Sequence, residues 1–105
     1  MSSAPLTPAV FHILLALSDG PLHGYAIMQH VEESAGFSMG PGTIYGTLER
    51  LEAAGFVKEA TAARDDRRRV FAMLPAGRAA LQDEARRLAR LAALVRAKRL
   101  IPRES

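Results

Sequence analysis

The chain has 105 residues, of which 49% are hydrophobic and 24% are charged. This length and composition predict one small globular domain and exclude a disordered or fibrous chain. The absence of cysteine excludes a disulfide scaffold and a thiolate zinc site, and it fits a reducing cytoplasm. No apolar run approaches the roughly 20 residues that a membrane span needs. A secretory signal has a charged segment before its apolar stretch, and the first apolar stretch here has none, so we do not expect such a signal.

Charge is divided unevenly along the chain. Residues 1–57 hold one arginine against five acids, a net charge of −4, whereas residues 58–105 hold thirteen basic residues against six acids, a net charge of +7. The basic second half favours a polyanionic partner, although a solvated arginine-rich helix would have a similar composition.

Apolar residues at helical spacing predict two short helices at the start of the chain. The first begins at Thr7 and Pro8, a capping residue followed by a residue suited to the first helical turn, and it ends at Gly20. The second is predicted over residues 23–34, with Tyr25 on its apolar face.

A third helix is predicted between Gly42 and Gly55, with Ile44, Leu48 and Leu51 as its buried stripe. Four residues are predicted to share the opposite, solvent-facing side: Thr43, Gly46, Thr47 and Arg50. This side is small and polar and has one guanidinium. A surface that enters the major groove needs little bulk near the backbone and donors that reach base edges, so this side predicts a DNA-contacting face.

Two short extended runs follow, residues 56–61 and 69–74, and a polar connection joins them into a predicted antiparallel hairpin. Three adjacent basic residues are assigned to its tip: Arg67, Arg68 and Arg69. Their charge favours contact with DNA phosphates, and the alternative is a solvated turn.

A long helix is predicted from residue 75 to about residue 100, roughly 37 Å at 1.5 Å per residue. Its apolar residues recur at heptad-like spacing. The rest of this small domain cannot cover a helix of this length. We therefore expect a second copy of the chain to bury part of this row of apolar residues, the seam of the helix. The predicted dimer contacts are Leu81, Leu88, Leu91 and Val95. The arginines of this helix are interpreted as a solvated face.

Three helices followed by a basic hairpin are the element order of a winged helix-turn-helix, a mainly α (α+β) fold. In that fold the third helix lies in the major groove while the hairpin, or wing, reaches adjacent phosphates. The sequence therefore predicts a DNA-binding domain over residues 1–75. Residues 76–105 are predicted to form a C-terminal dimerisation helix with a short tail.

Six short motifs occur in one order along the chain: Gly20-Pro21-Leu22-His23-Gly24-Tyr25-Ala26-Ile27, Gly42-Thr43-Ile44-Tyr45, Leu48-Glu49-Arg50-Leu51-Glu52, Ala54-Gly55-Phe56-Val57, Arg67-Arg68-Arg69-Val70-Phe71 and Pro75-Ala76-Gly77-Arg78-Ala79-Ala80-Leu81. Together they resemble the PadR family of transcriptional regulators, and the resemblance runs from Leu6 to about Leu100. Two positions depart from the family's usual pattern. Gly46 stands where the family often has proline, and Leu74 stands where it usually has a threonine that can cap the last helix.

The resemblance implies DNA contact by Thr43 and Tyr45, although the ring of Tyr45 could instead pack to hold the third helix. Tyr25 lies near the start of the second helix, where a hydroxyl can bind a phosphate. Packing is an equally good interpretation of Tyr25.

The leading hypothesis is a cytoplasmic homodimer that binds double-stranded DNA, a repressor acting on a palindromic operator. The runner-up is a winged-helix module that binds another protein and not DNA. No nucleophile–base pair, phosphate-binding glycine loop or metal-ligand set occurs, so we expect neither an enzyme nor a cofactor or metal site.

The resemblance further implies a small aromatic or drug-like effector between the long helices of a dimer. The candidate walls of that site are Phe11, Leu14, Leu88 and Leu91, which are equally well explained as core.

Overall fold

A computed structural model describes residues 5–61 and 69–101. Over these residues the helices and strands in chain order are α1 (Pro8–Ala16), β1 (Leu22–His23), α2 (Gly24–Ala35), α3 (Pro41–Ala53), β2 (Val57–Thr61), β3 (Val70–Met73) and α4 (Pro75–Ala97). This order confirms the predicted winged helix-turn-helix with a long last helix. The predicted hairpin tip, including Arg67 and Arg68, lies outside the described residues.

The ends of α1 follow from its sequence. The Thr7 hydroxyl accepts a hydrogen bond from the Val10 N–H at 3.2 Å, and Pro8 occupies the first helical turn. A 3₁₀ turn over Leu17–Asp19 extends the helix, and Gly20 then takes a φ of +142°, which residues with a side chain rarely adopt. The predicted start and stop of this helix are therefore both confirmed.

The core lies where the first three helices meet the sheet. It combines apolar side chains from every helix with Val57 and Phe71 from the wing strands. The helical members of this core are Ile13, Leu14, Leu17, Ile27, Val31, Ile44, Leu48, Leu51 and Leu81. Burial of one such aliphatic side chain stabilises the fold by about 1.5–3 kcal/mol.

The three strands form one antiparallel sheet in the order β1–β3–β2. Phe71 of β3 is the register partner of Leu22 in β1 and of Glu59 in β2. The strand β1 was not predicted, because two residues show no alternation that could distinguish a strand from a loop. It attaches the wing to the start of α2.

The helix α4 is fixed to the rest of the protein by its first three turns. Gly77 lies so close to the Phe56 carbonyl oxygen that a Cβ atom would overlap it, and Leu81 belongs to the core with 6% of its surface exposed. The prediction that Leu81 is a dimer contact is therefore wrong, because this side chain is buried within its own protomer. Leu74 precedes the helix without a side-chain capping bond.

Glu84 closes the docked part of α4. Its carboxylate is 6% exposed and accepts hydrogen bonds from the Leu6 backbone N–H at 3.3 Å and from the Arg87 guanidinium. The hydrogen bonds from Arg87 lower the pKa of Glu84, against the opposing effect of its burial. A charged Glu84 therefore ties the segment before α1 to α4.

Candidate nucleic-acid interface

The outward side of α3 differs from the predicted one at a single residue. Thr43 and Arg50 are exposed and Gly46 is half-buried, whereas Thr47 is 3% exposed. The prediction that Thr47 faces solvent is wrong. Its position three residues after Ile44 and four before Leu51 places it on the buried side of the helix.

Thr47 instead supports Arg50. Its hydroxyl donates a hydrogen bond to the Thr43 carbonyl oxygen at 2.8 Å and accepts one from Arg50 Nη2 at 3.1 Å. The buried hydroxyl is thus satisfied within the helix, and it holds the guanidinium along the helix surface. Because the side chain of Arg50 is already ordered, less conformational entropy is lost when it binds a partner.

Gly46 leaves a bare stretch of backbone beside this arginine. A Cβ atom at Gly46 would have one neighbouring atom within 4 Å, Arg50 Nη1 at 3.9 Å, and a Cβ at Gly42 would have none. Packing within the protein therefore does not require glycine at either position. The result is a flat surface on α3 between Thr43 and Arg50 that a second molecule can approach closely.

Tyr45 has a packing role in the structure. Its ring is half-buried, and its hydroxyl lies so close to Gly24 that a Cβ atom at that glycine would overlap it. The ring centroid is 6.3 Å from that of Phe71. Tyr45 therefore joins α3 to the start of α2 and to β3, and its predicted contact with DNA stays a prediction.

Tyr25 lies on the outer side of α2, because Ile27 and Val31 form the buried side of that helix. The side chain of Tyr25 is 58% exposed, so its predicted place on the apolar face is wrong. It stands in the first turn of the helix, where backbone N–H groups can bind a phosphate. The predicted phosphate contact of Tyr25 stays a prediction.

Arg69 was assigned to the exposed hairpin tip, and the structure contradicts that placement. It immediately precedes β3, and its side chain is 17% exposed. Its guanidinium pairs with Glu59 at 2.9 Å and stands 5.4 Å from the ring centroid of Tyr45 and 5.2 Å from that of Phe71. The charge of Arg69 predicts a position at the tip, and the neighbouring Phe71 is the sequence signal for stacking.

Two acidic residues of α3 face the base of the wing. Glu52 accepts a hydrogen bond from the Glu59 backbone N–H at 3.2 Å, and a carboxylate oxygen of Glu49 lies 4.0 Å from Arg69 Nη1. These carboxylates fix α3 against the wing. Their charge therefore has a structural explanation that does not count against a nucleic-acid interface on the Thr43–Arg50 side.

A separate apolar surface covers the second half of α4 and the residues after it. We call this surface the α4 patch: Leu88, Leu91, Leu94, Val95, Leu100 and Ile101, of which Val95 alone is half-buried and the others are exposed. Contiguous exposed apolar surface is typical of a protein interface.

Leu14 is fully buried in the core, so its assignment as a wall of an effector site is wrong. Within the described part of the chain, no helix has the length and hydropathy of a membrane span.

Comparisons of the sequence point to one family. The model of the transcriptional regulator PadR-like family matches residues 13–83. The transcriptional regulator Rv3488 of Mycobacterium tuberculosis is 43% identical over 82 residues, which are 77% of this chain and 76% of that protein. An uncharacterized 37.1 kDa protein of transposon TN4556 from Streptomyces fradiae is 47% identical over 83 residues. The match covers 79% of this chain and only 24% of that protein.

Comparisons of the structure agree with the sequence. A PadR family transcription regulator from Clostridium difficile superposes with a TM-score of 0.74 at 20% identity, covering 87% of this chain and 97% of that one. Bacillus subtilis PadR, solved in complex with operator DNA, superposes with a TM-score of 0.63 at 26% identity, covering 77% and 48%. The chain belongs to the PadR-like family of transcriptional regulators, which are DNA-binding proteins and not enzymes.

Proposed function

We propose that this chain is a repressor that binds a palindromic operator as a homodimer. The observation that carries the proposal is the outward side of α3. There, Thr43 and the held guanidinium of Arg50 flank the bare backbone of Gly46. Such a surface can enter the major groove and offer donors to base edges.

The homodimer follows from the α4 patch. Leu88 and Leu91 are 36% and 43% exposed on a helix of 23 residues whose first three turns alone are docked. A two-fold pairing of α4 would bury these side chains and place two α3 helices about 34 Å apart, one turn of DNA. Two-fold symmetry in the protein then requires inverted half-sites in the operator.

The relatives support the DNA partner. Bacillus subtilis PadR is known in complex with operator DNA, and its match covers 77% of this chain. Release of DNA by a small aromatic or drug-like effector stays a prediction. Of its remaining candidate walls, Phe11 is half-buried against the core, and Leu88 and Leu91 belong to the α4 patch.

Salt-dependent DNA binding tests the proposal. Affinity should be measured on random-sequence duplexes, and on the tightest duplex selected from the same pool, across a series of salt concentrations. Phosphate contacts release counter-ions, so log K should fall linearly with log salt concentration. Arg67→Ala with Arg68→Ala should reduce the slope by about one per lost contact.

Arg86→Ala with Arg90→Ala is the matched control, because it removes the same charge from the exposed surface of α4. We expect the parent slope in this control. A parent protein whose binding shows no salt dependence would instead support the alternative, a winged-helix module that binds another protein and not DNA.

A further inference from the structure

The side chain of Arg69 lies where α3 meets the two wing strands. Its guanidinium pairs with Glu59 of β2 at 2.9 Å and stacks near the rings of Tyr45 in α3 and Phe71 in β3. The two partners of the ion pair are 17% and 23% exposed, so the pair is largely shielded from solvent. A planar guanidinium can make all these contacts at once, whereas a lysine ammonium cannot.

The backbone of the same residue extends the connection to α2. The Arg69 carbonyl oxygen accepts a hydrogen bond from the Gly24 N–H at 3.1 Å, and the Tyr45 hydroxyl rests against Gly24. One residue and its immediate partners therefore link both helices of the helix-turn-helix to both long strands of the wing.

We propose that Arg69 is a positioning residue that sets the wing relative to α3, and that its guanidinium does not contact DNA. This role rests on the proposed function. A DNA phosphate that drew the guanidinium out of this position would break the pair with Glu59 and both ring contacts. The Glu59 carboxylate would then be left unpaired and partly desolvated.

The position of the wing relative to α3 should affect binding to the operator more than binding to random DNA. A specific complex needs α3 in register with base edges while the wing meets the adjacent phosphates. On random DNA a displaced wing can still find a phosphate, because the backbone charge is uniform. Loss of the Arg69 contacts should therefore reduce the preference for operator over random DNA and leave the salt slope unchanged.

Removal of the Glu59 carboxylate should change DNA binding in a different way for each of the two possible roles of Arg69. If Arg69 were a phosphate ligand, Glu59→Gln would free it, remove a negative charge and increase DNA affinity. If Arg69 is a positioning residue, Glu59→Gln reduces the preference for operator. Asp83→Asn is the matched control, because Asp83 pairs with Arg86 at 2.6 Å on the exposed surface of α4. It changes the net charge by the same amount.

The probes are the tightest duplex selected from a random pool and a scrambled version of it. We expect Glu59→Gln to lower the ratio of the two affinities by about threefold to tenfold relative to Asp83→Asn. Arg69→Lys should have a similar effect, since the ammonium keeps the charge and loses the stacking. The two changes combined should lower the ratio little more than either alone, because they disrupt one set of contacts.

A stoichiometric titration of each variant, well below its melting temperature, separates positioning from loss of folded protein. A lower active fraction with an unchanged affinity ratio would show that Arg69 only stabilises the fold, and it would overturn the positioning role. Tighter binding by Glu59→Gln than by Asp83→Asn would also overturn it, while leaving the proposed function intact. A parent protein without salt-dependent binding would overturn both.

Discussion

The helices α3 and α4 are both amphipathic, and they present opposite chemistry to solvent. The outward side of α3 has Thr43, Gly46 and Arg50, whereas the second half of α4 exposes Leu88 and Leu91. A small polar surface with a guanidinium fixed by a hydrogen bond can contact base edges, and a surface of large aliphatic side chains can pack against another protein. In our proposal the outward face of each helix therefore selects its partner: DNA for α3 and a second copy for α4.

A second contrast lies within α4 itself. Leu81 and Leu88 are one heptad apart on the same side of the helix, yet Leu81 is 6% exposed and Leu88 is 36% exposed. The helix leaves the surface of its own protomer shortly after Glu84. One continuous apolar seam thus serves two purposes, docking within the protomer and, in our proposal, association between protomers.

The largest expected effect comes from the α4 patch. Leu88→Asp with Leu91→Asp should give a monomer, because charged side chains in a pairing surface are strongly disfavoured. Loss of the second half-site contact should weaken operator binding by about 10²- to 10⁴-fold, although no residue of α3 is changed. Sedimentation at micromolar concentration and fluorescence anisotropy with the selected duplex measure both effects.

Ala89→Asp with Ala93→Asp is the control, since both alanines are exposed on α4 away from the seam. This variant should remain dimeric and bind operator as the parent does. A parent protein that sediments as a monomer while binding operator with full affinity would show that the dimer proposal is wrong.

The next effect distinguishes the two halves of α4. Leu81→Ala leaves a cavity in the core, so the free energy of unfolding should fall by about 2–5 kcal/mol. Leu88→Ala should change that stability little and weaken association instead. Melting temperatures across a range of protein concentrations measure the difference. Leu81→Ala should lower them by a similar amount at every concentration. Leu88→Ala should lower them mainly at the high concentrations where the parent is dimeric, so its melting temperature should depend less on concentration. Equal behaviour of the two variants would contradict the division of the seam.

The sequence predicted the elements of this fold well because their signals are local. The cap at Thr7 and the apolar stripe of α3 each depend on neighbours within one or two helical turns. Leu81 was assigned to the wrong surface because its environment depends on where α4 leaves the protomer. Heptad spacing does not contain that information, since both surfaces require the same apolar residues.

The candidate site was predicted less well, for a related reason. Arg69 has the same charge as its neighbours in the sequence, but its position beside Glu59 and Phe71 depends on the register of the strand pair. Thr47 was misplaced because a small polar residue can lie on either side of a helix when its hydroxyl bonds to the backbone. Residue type alone could settle neither position.

A moderate effect is expected on the side of α3 that we propose contacts DNA. Arg50→Ala should lower the preference for operator over scrambled DNA by about 1–3 kcal/mol, the usual value of one base contact. The melting temperature should stay near that of the parent, because Arg50 is exposed. Thr47→Val keeps the arginine and removes its hydrogen-bonding partner, so its effect should be smaller. An equal loss of affinity for operator and scrambled DNA would show that Arg50 binds phosphate and not a base.

The smallest effect is also the one in which stability and binding should change in opposite directions. Gly46→Ala should stabilise the protein by about 0.5–1 kcal/mol, because glycine disfavours a helix interior and the added methyl would meet only Arg50 Nη1, at 3.9 Å. The same methyl stands on the surface that we propose approaches DNA, so operator affinity should fall. Ala53→Gly, on the exposed last turn of α3, should lower stability with no change in affinity. If Gly46→Ala instead binds operator as tightly as the parent, the bare backbone at Gly46 is not in close contact with DNA.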